Sequence, residues 1–196
     1  MNPRRRALTD QLYATSRAHD EAQADRLARW RNVEPETASM LGVLVRATGA
    51  RRVLEIGTSN GYSTIWLADA VQDVGGVVVS LEVLAERSQA AASHLAAAGL
   101  ADVVELRVED AAVALPEFGA GAFDFVFLDA ERPAYLGYWP ELVRVMAAPG
   151  LLAVDNVLSH ADEVAAFRAV VADDERVVSS LVPIGAGVLL VTPAWV

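Results

Sequence analysis

Apolar residues recur along the chain at two different periods, and the switches between them mark out the elements. Residues 4–30 place Leu8, Leu12, Ala18, Ala22, Leu27 and Trp30 at helical spacing among many charges. The stretch from Asn32 to Glu36, with Pro35, interrupts that helix, and Met40, Leu41, Leu44 and Val45 then share one face of a second. From Arg52 the texture changes. Short β-branched and aromatic runs now alternate with helical stretches. RVLEIG precedes YSTIWLADAVQ, and VVVSLE precedes VLAERSQAAASHLAAAG, which Gly99 closes. VVELRV precedes the short AAVALPEF, FDFVFLDA precedes PAYLGYWPELVRVM, and LLAVDN precedes ADEVAAFRAVVADD. RVVSSLVPI and GVLLVT end the chain as a strand pair joined through Pro-Ile-Gly-Ala-Gly.

Strands that alternate with helices predict a parallel sheet covered on both faces. The last two strands lack a helix between them, so the final one should run antiparallel. The expectation is therefore an α/β protein with a doubly wound, mostly parallel seven-stranded sheet whose last strand is antiparallel. It should form a single domain over 1–196, with extra N-terminal helices in 1–48 and the sheet core in 50–192. No repeat or linker divides it.

Composition narrows the chemistry by exclusion. With 54 % hydrophobic and 21 % charged residues, the chain is built to bury a core and not to stay disordered. It has no cysteine, which removes disulfides, zinc thiolates, iron–sulfur clusters and a thiol nucleophile. All 16 basic residues are arginine. Schiff-base chemistry and a lysine general base are therefore ruled out. The net charge of −10 argues against nucleic acid, and Arg4-Arg5-Arg6 reads as a solvated helix start. There is neither a signal-peptide stretch nor an apolar run of the ~18 residues a membrane helix needs. A soluble cytoplasmic protein with no membrane partner is expected.

In open parallel sheets, ligands bind outside the carboxyl ends of the strands. After the first strand stands Glu55-Ile56-Gly57-Thr58-Ser59-Asn60-Gly61-Tyr62-Ser63, whose glycines are spaced for a tight turn but not as GxGxxG. An NAD-dependent oxidoreductase is disfavoured by that spacing. After the second strand stands Glu82, 25 residues beyond Gly57, suitably placed to accept from ribose hydroxyls. Glu109-Asp110-Ala111 follows the third strand, Asp129 the fourth, and Asp155-Asn156 the fifth. Either aspartate alone could cap a helix start. Together the two carboxylates and an amide oxygen make a hard half-shell of the kind Mg²⁺ prefers.

At this point VLEIGTSNGYST, VVVSLE, FDFVFLDAERPAY and AVDN resemble the cation-dependent class I S-adenosylmethionine O-methyltransferases, of the catechol and caffeoyl-CoA type. The resemblance runs from Asn32 to Thr192 and implies a Rossmann-like methyltransferase fold. It implies that Glu55, Gly57, Thr58, Ser59, Tyr62 and Ser63 cradle the methionine part and sulfonium of the cofactor. Glu82 would hold the ribose, Val83 would lie against adenine, and Asp110 and Ala111 would fall in the adenine segment. Val33, 22 residues before Glu55, would supply a covering backbone contact. Asp129, Asp155 and Asn156 match the metal ligands, and Asp129 would also touch the cofactor. The implied reaction is Mg²⁺-dependent methylation of a small aromatic hydroxyl, catechol-like or hydroxycinnamoyl-like.

Two departures stand out. The family commonly carries a lysine as general base where this chain has Arg132, and arginine cannot accept a proton at neutral pH. Arg132 could still stabilise a phenolate by charge, with the proton leaving to water, hydroxide or Glu131. The second departure is Glu109, where a glycine is usual. The alternative is a catalytically impaired protein that binds S-adenosylmethionine and acts through partners. His19, His94, His160 and Trp66 read as surface or packed residues, with His160 near enough to the DN pair to approach an acceptor. Tyr138 and Trp139 read as helix packing or an acceptor wall. Trp30 and the first helix would either cover the site or form a dimer contact, and the first helix and the apolar tail Pro193-Ala194-Trp195-Val196 are where a homodimer would form.

Overall fold

A computed structural model describes residues 1–194; Trp195 and Val196, in the tail singled out above, lie outside the described residues. Two helices lead in, α1 (Pro3–Ala22) and α2 (Pro35–Thr48). They are followed by β1 (Arg52–Ile56), α3 (Tyr62–Gln72), β2 (Val77–Glu82), α4 (Ala85–Ala98), β3 (Val104–Val108) and α5 (Ala111–Ala114). The second half contains β4 (Phe123–Leu128), α6 (Tyr135–Val145), β5 (Met146–Val154), α7 (Ala165–Asp173), β6 (Val177–Val182) and β7 (Val188–Pro193). The strands form one sheet in the order β3-β2-β1-β4-β5-β7-β6. All pairs are parallel except those of β7, which runs antiparallel to both β5 and β6. Among the described residues, no helix is long and apolar enough to cross a membrane.

The apolar strands feed two cores by simple alternation. On β4, Phe125 and Phe127 turn to one face while Val126 and Leu128 turn to the other, all four fully buried. The first face packs against α1 to α4 through residues such as Leu12, Leu41, Ile65 and Leu95. The second packs against α5 to α7 through Ala114, Tyr135, Leu142 and Phe167. Each large side chain buried this way contributes roughly 1.5–3 kcal/mol.

Three predicted boundaries move. The helix expected over 4–30 ends at Ala22, because the Asp20 carboxylate accepts from the Trp30 and Arg31 amides at 2.7 and 2.8 Å. These bonds, and the Arg29 guanidinium on the Gln23 carbonyl, fold 23–31 back on the helix end. The helix expected from Ala161 begins at Ala165, since residues 157–164 are taken up in turns in which the Glu163 and Val164 amides both bond to the His160 carbonyl. The fifth strand starts early, at Met146, where α6 passes directly into β5.

One backbone contact ties the centre of the sheet together. Gly57 leaves β1 at φ +106°, and a Cβ there would overlap the Asp129 carbonyl just beyond β4. Asp129 in turn donates its amide to Ile56 O at 2.9 Å. Gly57→Ala combines a disfavoured φ with backbone overlap, so we expect a loss of about 2 kcal/mol or more in urea unfolding. A second anchor is Asp69 on α3, which is 4 % exposed and receives the N-terminal amine, Arg5 and Arg46 at 3.2, 2.9 and 2.7 Å. These cations hold its carboxyl below the usual range despite burial, which pushes the other way. Asp69→Asn should cost about 2–4 kcal/mol by leaving buried positive charge unpaired. Because the folded pKa is depressed, this contribution is present above the unfolded value near 4 and is lost as pH falls below it, as acid titration of stability would show.

Candidate active site

Register decides which residues meet. Ile56 pairs with Leu81 and with Leu128, and Leu128 pairs with Val154. The next positions, Gly57, Glu82, Asp129 and Asp155, therefore form one row across four adjacent strand ends, with neighbours about 4.8 Å apart. The site is this row and the loops that leave it.

The loop after β1 is held over the β2 end. The Gly57 and Thr58 amides both donate to Leu81 O, and Thr58 Oγ1 lies 2.6 Å from Ser80 Oγ. Ser59, at φ +48°, donates its amide to Glu82 Oε2 at 2.8 Å and its hydroxyl to Trp30 O at 2.7 Å. Glu82 also accepts from the Leu84 amide, so its carboxylate is fixed at the rim while Val83 beside it is exposed. Gly61 precedes α3 with no side-chain cap of its own, and the Asn60 amide oxygen accepts from the Tyr62 amide at 3.3 Å. Tyr62 and Ser63 open that helix. Tyr62 is buried against Tyr13, and burial pushes its hydroxyl up to about 12.

Glu55 sits beneath this loop, fully buried. Burial pushes its carboxyl up to about 7, against the pull of three hydroxyls. Those hydroxyls are Ser63 on Oε1 at 2.6 Å, with Thr64 at 2.5 Å and Ser80 at 2.6 Å on Oε2. At the β3 end Asp110 caps α5 by accepting from the Ala112 amide, with Tyr138 Oη at 3.4 Å, and Ala111 is buried behind it.

The chemistry concentrates at Asp129 and Asp155. Asp155 is 2 % exposed, and among the described residues its Oδ1 has no hydrogen-bond partner. Burial raises its carboxyl to about 7. Burial, Asp155, Glu55 and Glu34 push Asp129 well above the usual range, and the opposing cation is Arg31. Asn156, at φ +68°, turns its amide so that Nδ2 donates to Asp129 Oδ1 at 2.7 Å. A buried carboxylate oxygen without a partner, beside a second carboxylate, is an arrangement that a cation would relieve.

Around this pair the chain supplies charge. Arg132 is buried, with Nε on Glu163 at 2.8 Å and Nη2 without a partner among the described residues. Tyr135 is fully buried, donates to Ala130 O, and is pushed well up by burial and the two aspartates. Glu131 is engaged by Arg31 at 2.6 Å, a bond that joins the N-terminal segment to the loop after β4. Val33 on the same segment is buried in the core beside Leu12. The histidines lie apart: His94 is bonded to Asn60 O, His19 to Asp20, and His160 to its neighbour Ser159. Trp66 and Trp139 are packed in the two cores, with Trp139 Nε1 donating to Asp174.

Sequence reasoning missed Ser80, Thr64, Arg31 and Glu34. Ser80 had a signal, the lone hydroxyl in the apolar run VVVSLE. Arg31 and Glu34 had none, because only the fold-back after α1 carries them to the sheet.

Comparison with known proteins bears on the family and the fold. A family model described as O-methyltransferase matches residues 16–193. A catechol O-methyltransferase of Mycobacterium tuberculosis is 38 % identical over 166 residues, covering 80 % of this chain and 73 % of the relative. A probable caffeoyl-CoA O-methyltransferase of Dictyostelium discoideum is 31 % identical over 176 residues, covering 81 % and 76 %. Among solved structures, an O-methyltransferase from Bacillus cereus in complex with SAH superposes with a TM-score of 0.82 at 26 % identity, covering 96 % of this chain and 91 % of that one. An O-methyltransferase of tomaymycin synthesis from Streptomyces achromogenes, in complex with SAM, gives 0.79 at 28 % identity and covers both chains completely. The row of strand-end residues thus sits in a known kind of enzyme, and the chain belongs to the O-methyltransferase family, of the catechol and caffeoyl-CoA type.

Proposed function

We propose that this chain transfers the methyl group of S-adenosylmethionine to a hydroxyl of a small catechol-like or hydroxycinnamoyl-like acceptor. A divalent cation such as Mg²⁺ would be held by Asp129, Asp155 and Asn156. The observation that carries the reading is the unpartnered, buried Asp155 Oδ1 beside Asp129. The donor set, two carboxylates and an amide oxygen, suits a hard cation. When bound, the cation supplies Lewis-acid polarisation of the acceptor oxygen.

The chain's own residues supply position. Gly57 to Ser63 would take the methionine part, with the α3 amides facing its carboxylate. Glu82, already fixed by two amides, would accept from the ribose hydroxyls. The sulfonium is an activated donor, so alignment with the acceptor is the main contribution, worth roughly 7–11 kcal/mol when well made. Arg132 would add a positive charge and, through its unpartnered Nη2, a donor toward the developing oxyanion.

Calorimetric titration of S-adenosylmethionine, then of catechol in its presence with Mg²⁺ or EDTA, tests the reading. We expect cofactor binding and Mg²⁺-dependent catechol binding. Cofactor binding without metal-dependent acceptor binding would favour the impaired, partner-directed alternative. Mg²⁺ should also raise the melting temperature. Asp155 has a folded pKa raised to about 7, so in the metal-free protein its stabilising protonation is complete below about pH 4 and is lost as pH rises through 7. The Mg²⁺-induced rise should accordingly grow from pH 6 to pH 8, and Asp155→Asn should abolish it while raising the metal-free melting temperature at pH 8. Arg132→Met should lower kcat about 100-fold, with cofactor affinity unchanged by calorimetry.

A further inference from the structure

The segment from Gln23 to Arg31 joins α1 to the sheet without a core of its own. It contains one helical turn, Arg26–Ala28, and among the described residues none of its side chains enters either apolar core. Polar contacts hold it instead, and they reach three strand-end regions in turn. Arg87, in the first turn of α4 beyond β2, donates to the Arg29 carbonyl at 2.9 Å. Ser59, in the loop after β1, donates to the Trp30 carbonyl at 2.7 Å, and its amide is the one that holds Glu82. Beyond β4, Glu131 accepts from Arg31 at 2.6 Å. The segment is therefore a strap laid along the row, bonded to the loop that would take the methionine part of the cofactor.

Charge fastens the strap at its β4 and β5 side. Arg26 Nη2 lies 3.7 Å from Glu131 Oε2, and its Nη1 lies 3.8 Å from Glu163 Oε1. The other oxygen of Glu163 receives Arg132 at 2.8 Å. Arg31, Glu131, Arg26, Glu163 and Arg132 thus alternate in sign through one chain of contacts. Of these five only Arg132 is buried, while Arg26 and Glu131 are 47 % and 48 % exposed. Ion pairs this open to solvent are weak and are screened by salt. The backbone is strained at the same place. Arg31 and Ser59 sit at φ +54° and +48°, a left-handed conformation that residues with a side chain keep only where their surroundings hold them. The strap keeps its own shape, since Asp20 takes the Trp30 and Arg31 amides and Arg29 reaches the Gln23 carbonyl. A segment rigid in itself, without a core and fastened by weak ion pairs, has what a reversible closure requires.

We propose that residues 23–31 form a strap that opens to admit and release the cofactor, and that the ion pairs of Arg31 and Arg26 with Glu131 are its clasp. Cofactor exchange then waits on the clasp, as product release waits on lid opening in many enzymes. This inference rests on the methyltransferase reading above.

The test follows the release of isotope-labelled SAH from the full chain, chased with excess unlabelled SAH. SAH is a zwitterion without net charge, so salt acts on the clasp and not on the ligand. Raising the salt from about 0.05 to 0.5 M should speed release from the wild type about threefold or more. Glu131→Gln breaks both pairs of the clasp, so it should release SAH about five- to tenfold faster at low salt and lose most of the salt dependence. Its melting temperature should stay near that of the wild type, because the side chain is half exposed. A residue that merely supported the fold would leave the salt dependence in place. A second variant tests closure itself. The chain has no cysteine, so Arg31→Cys together with Glu131→Cys offers a single thiol pair to a short bismaleimide. Before crosslinking it should exchange SAH as fast as Glu131→Gln, and after crosslinking at least about 100-fold more slowly. Release from Glu131→Gln at the wild-type rate, or exchange that the crosslink leaves unchanged, overturns the proposal. Failure of SAH to bind the wild-type chain overturns the methyltransferase reading beneath it.

Discussion

The close approach of Gly57 to the Asp129 backbone is the constraint on which the rest of this site depends. Only a residue without a Cβ, at positive φ, lets the loop leaving β1 lie against the end of β4. That contact keeps Gly57, Glu82, Asp129 and Asp155 in one row and turns the β1–α3 loop over it. Four strand-end residues are thereby placed by one backbone packing and the strand register. None of them needs a dedicated scaffold.

The row carries a considerable electrostatic cost, and the chain distributes the compensation unevenly. Glu55 is buried but receives three hydroxyl hydrogen bonds, and Glu82 receives two amides. Those carboxylates are satisfied by the protein itself. Asp129 and Asp155 are less well served: the Asn156 amide reaches Asp129, and among the described residues one oxygen of Asp155 has no partner. Buried polar groups are normally paired, so a local failure of that rule marks a place reserved for something else. The fold is stable around the defect because two dense apolar cores flank it, with β4 contributing fully buried side chains to both.

The N-terminal segment finishes the site. Asp20 stops α1 by capturing the Trp30 and Arg31 amides, which lays 30–34 across the ends of β1 and β4. Trp30 then meets Ser59 and Arg31 meets Glu131. A helix termination far from the sheet in sequence thus supplies the cationic group that the strand ends lack. The same capture explains why helical periodicity over 4–30 overstated the helix, for the pattern continued while the hydrogen bonds went elsewhere. Likewise, the turns over 157–164, with the Glu163 and Val164 amides both on the His160 carbonyl, delay α7, and nothing local in ADEVAAF announces them.

What the sequence determined by itself was the architecture and the strand-end row. Apolar runs such as FDFVFL and LLAVD can only be buried strands, and acids placed directly after them must emerge at the same sheet edge, because parallel strands share a direction. Gly57, Glu82, Asp129 and Asp155 were legible for that reason. Tertiary structure alone decided which side chains are satisfied and which are left open. Ser80 closing on Glu55, Arg132 turning to Glu163 and Arg31 reaching Glu131 are outcomes of packing between residues 25, 31 and 100 positions apart, which loop closure and not local preference brings together. Local periodicity encodes faces and directions; it carries no information about which distant partner fills a hydrogen bond.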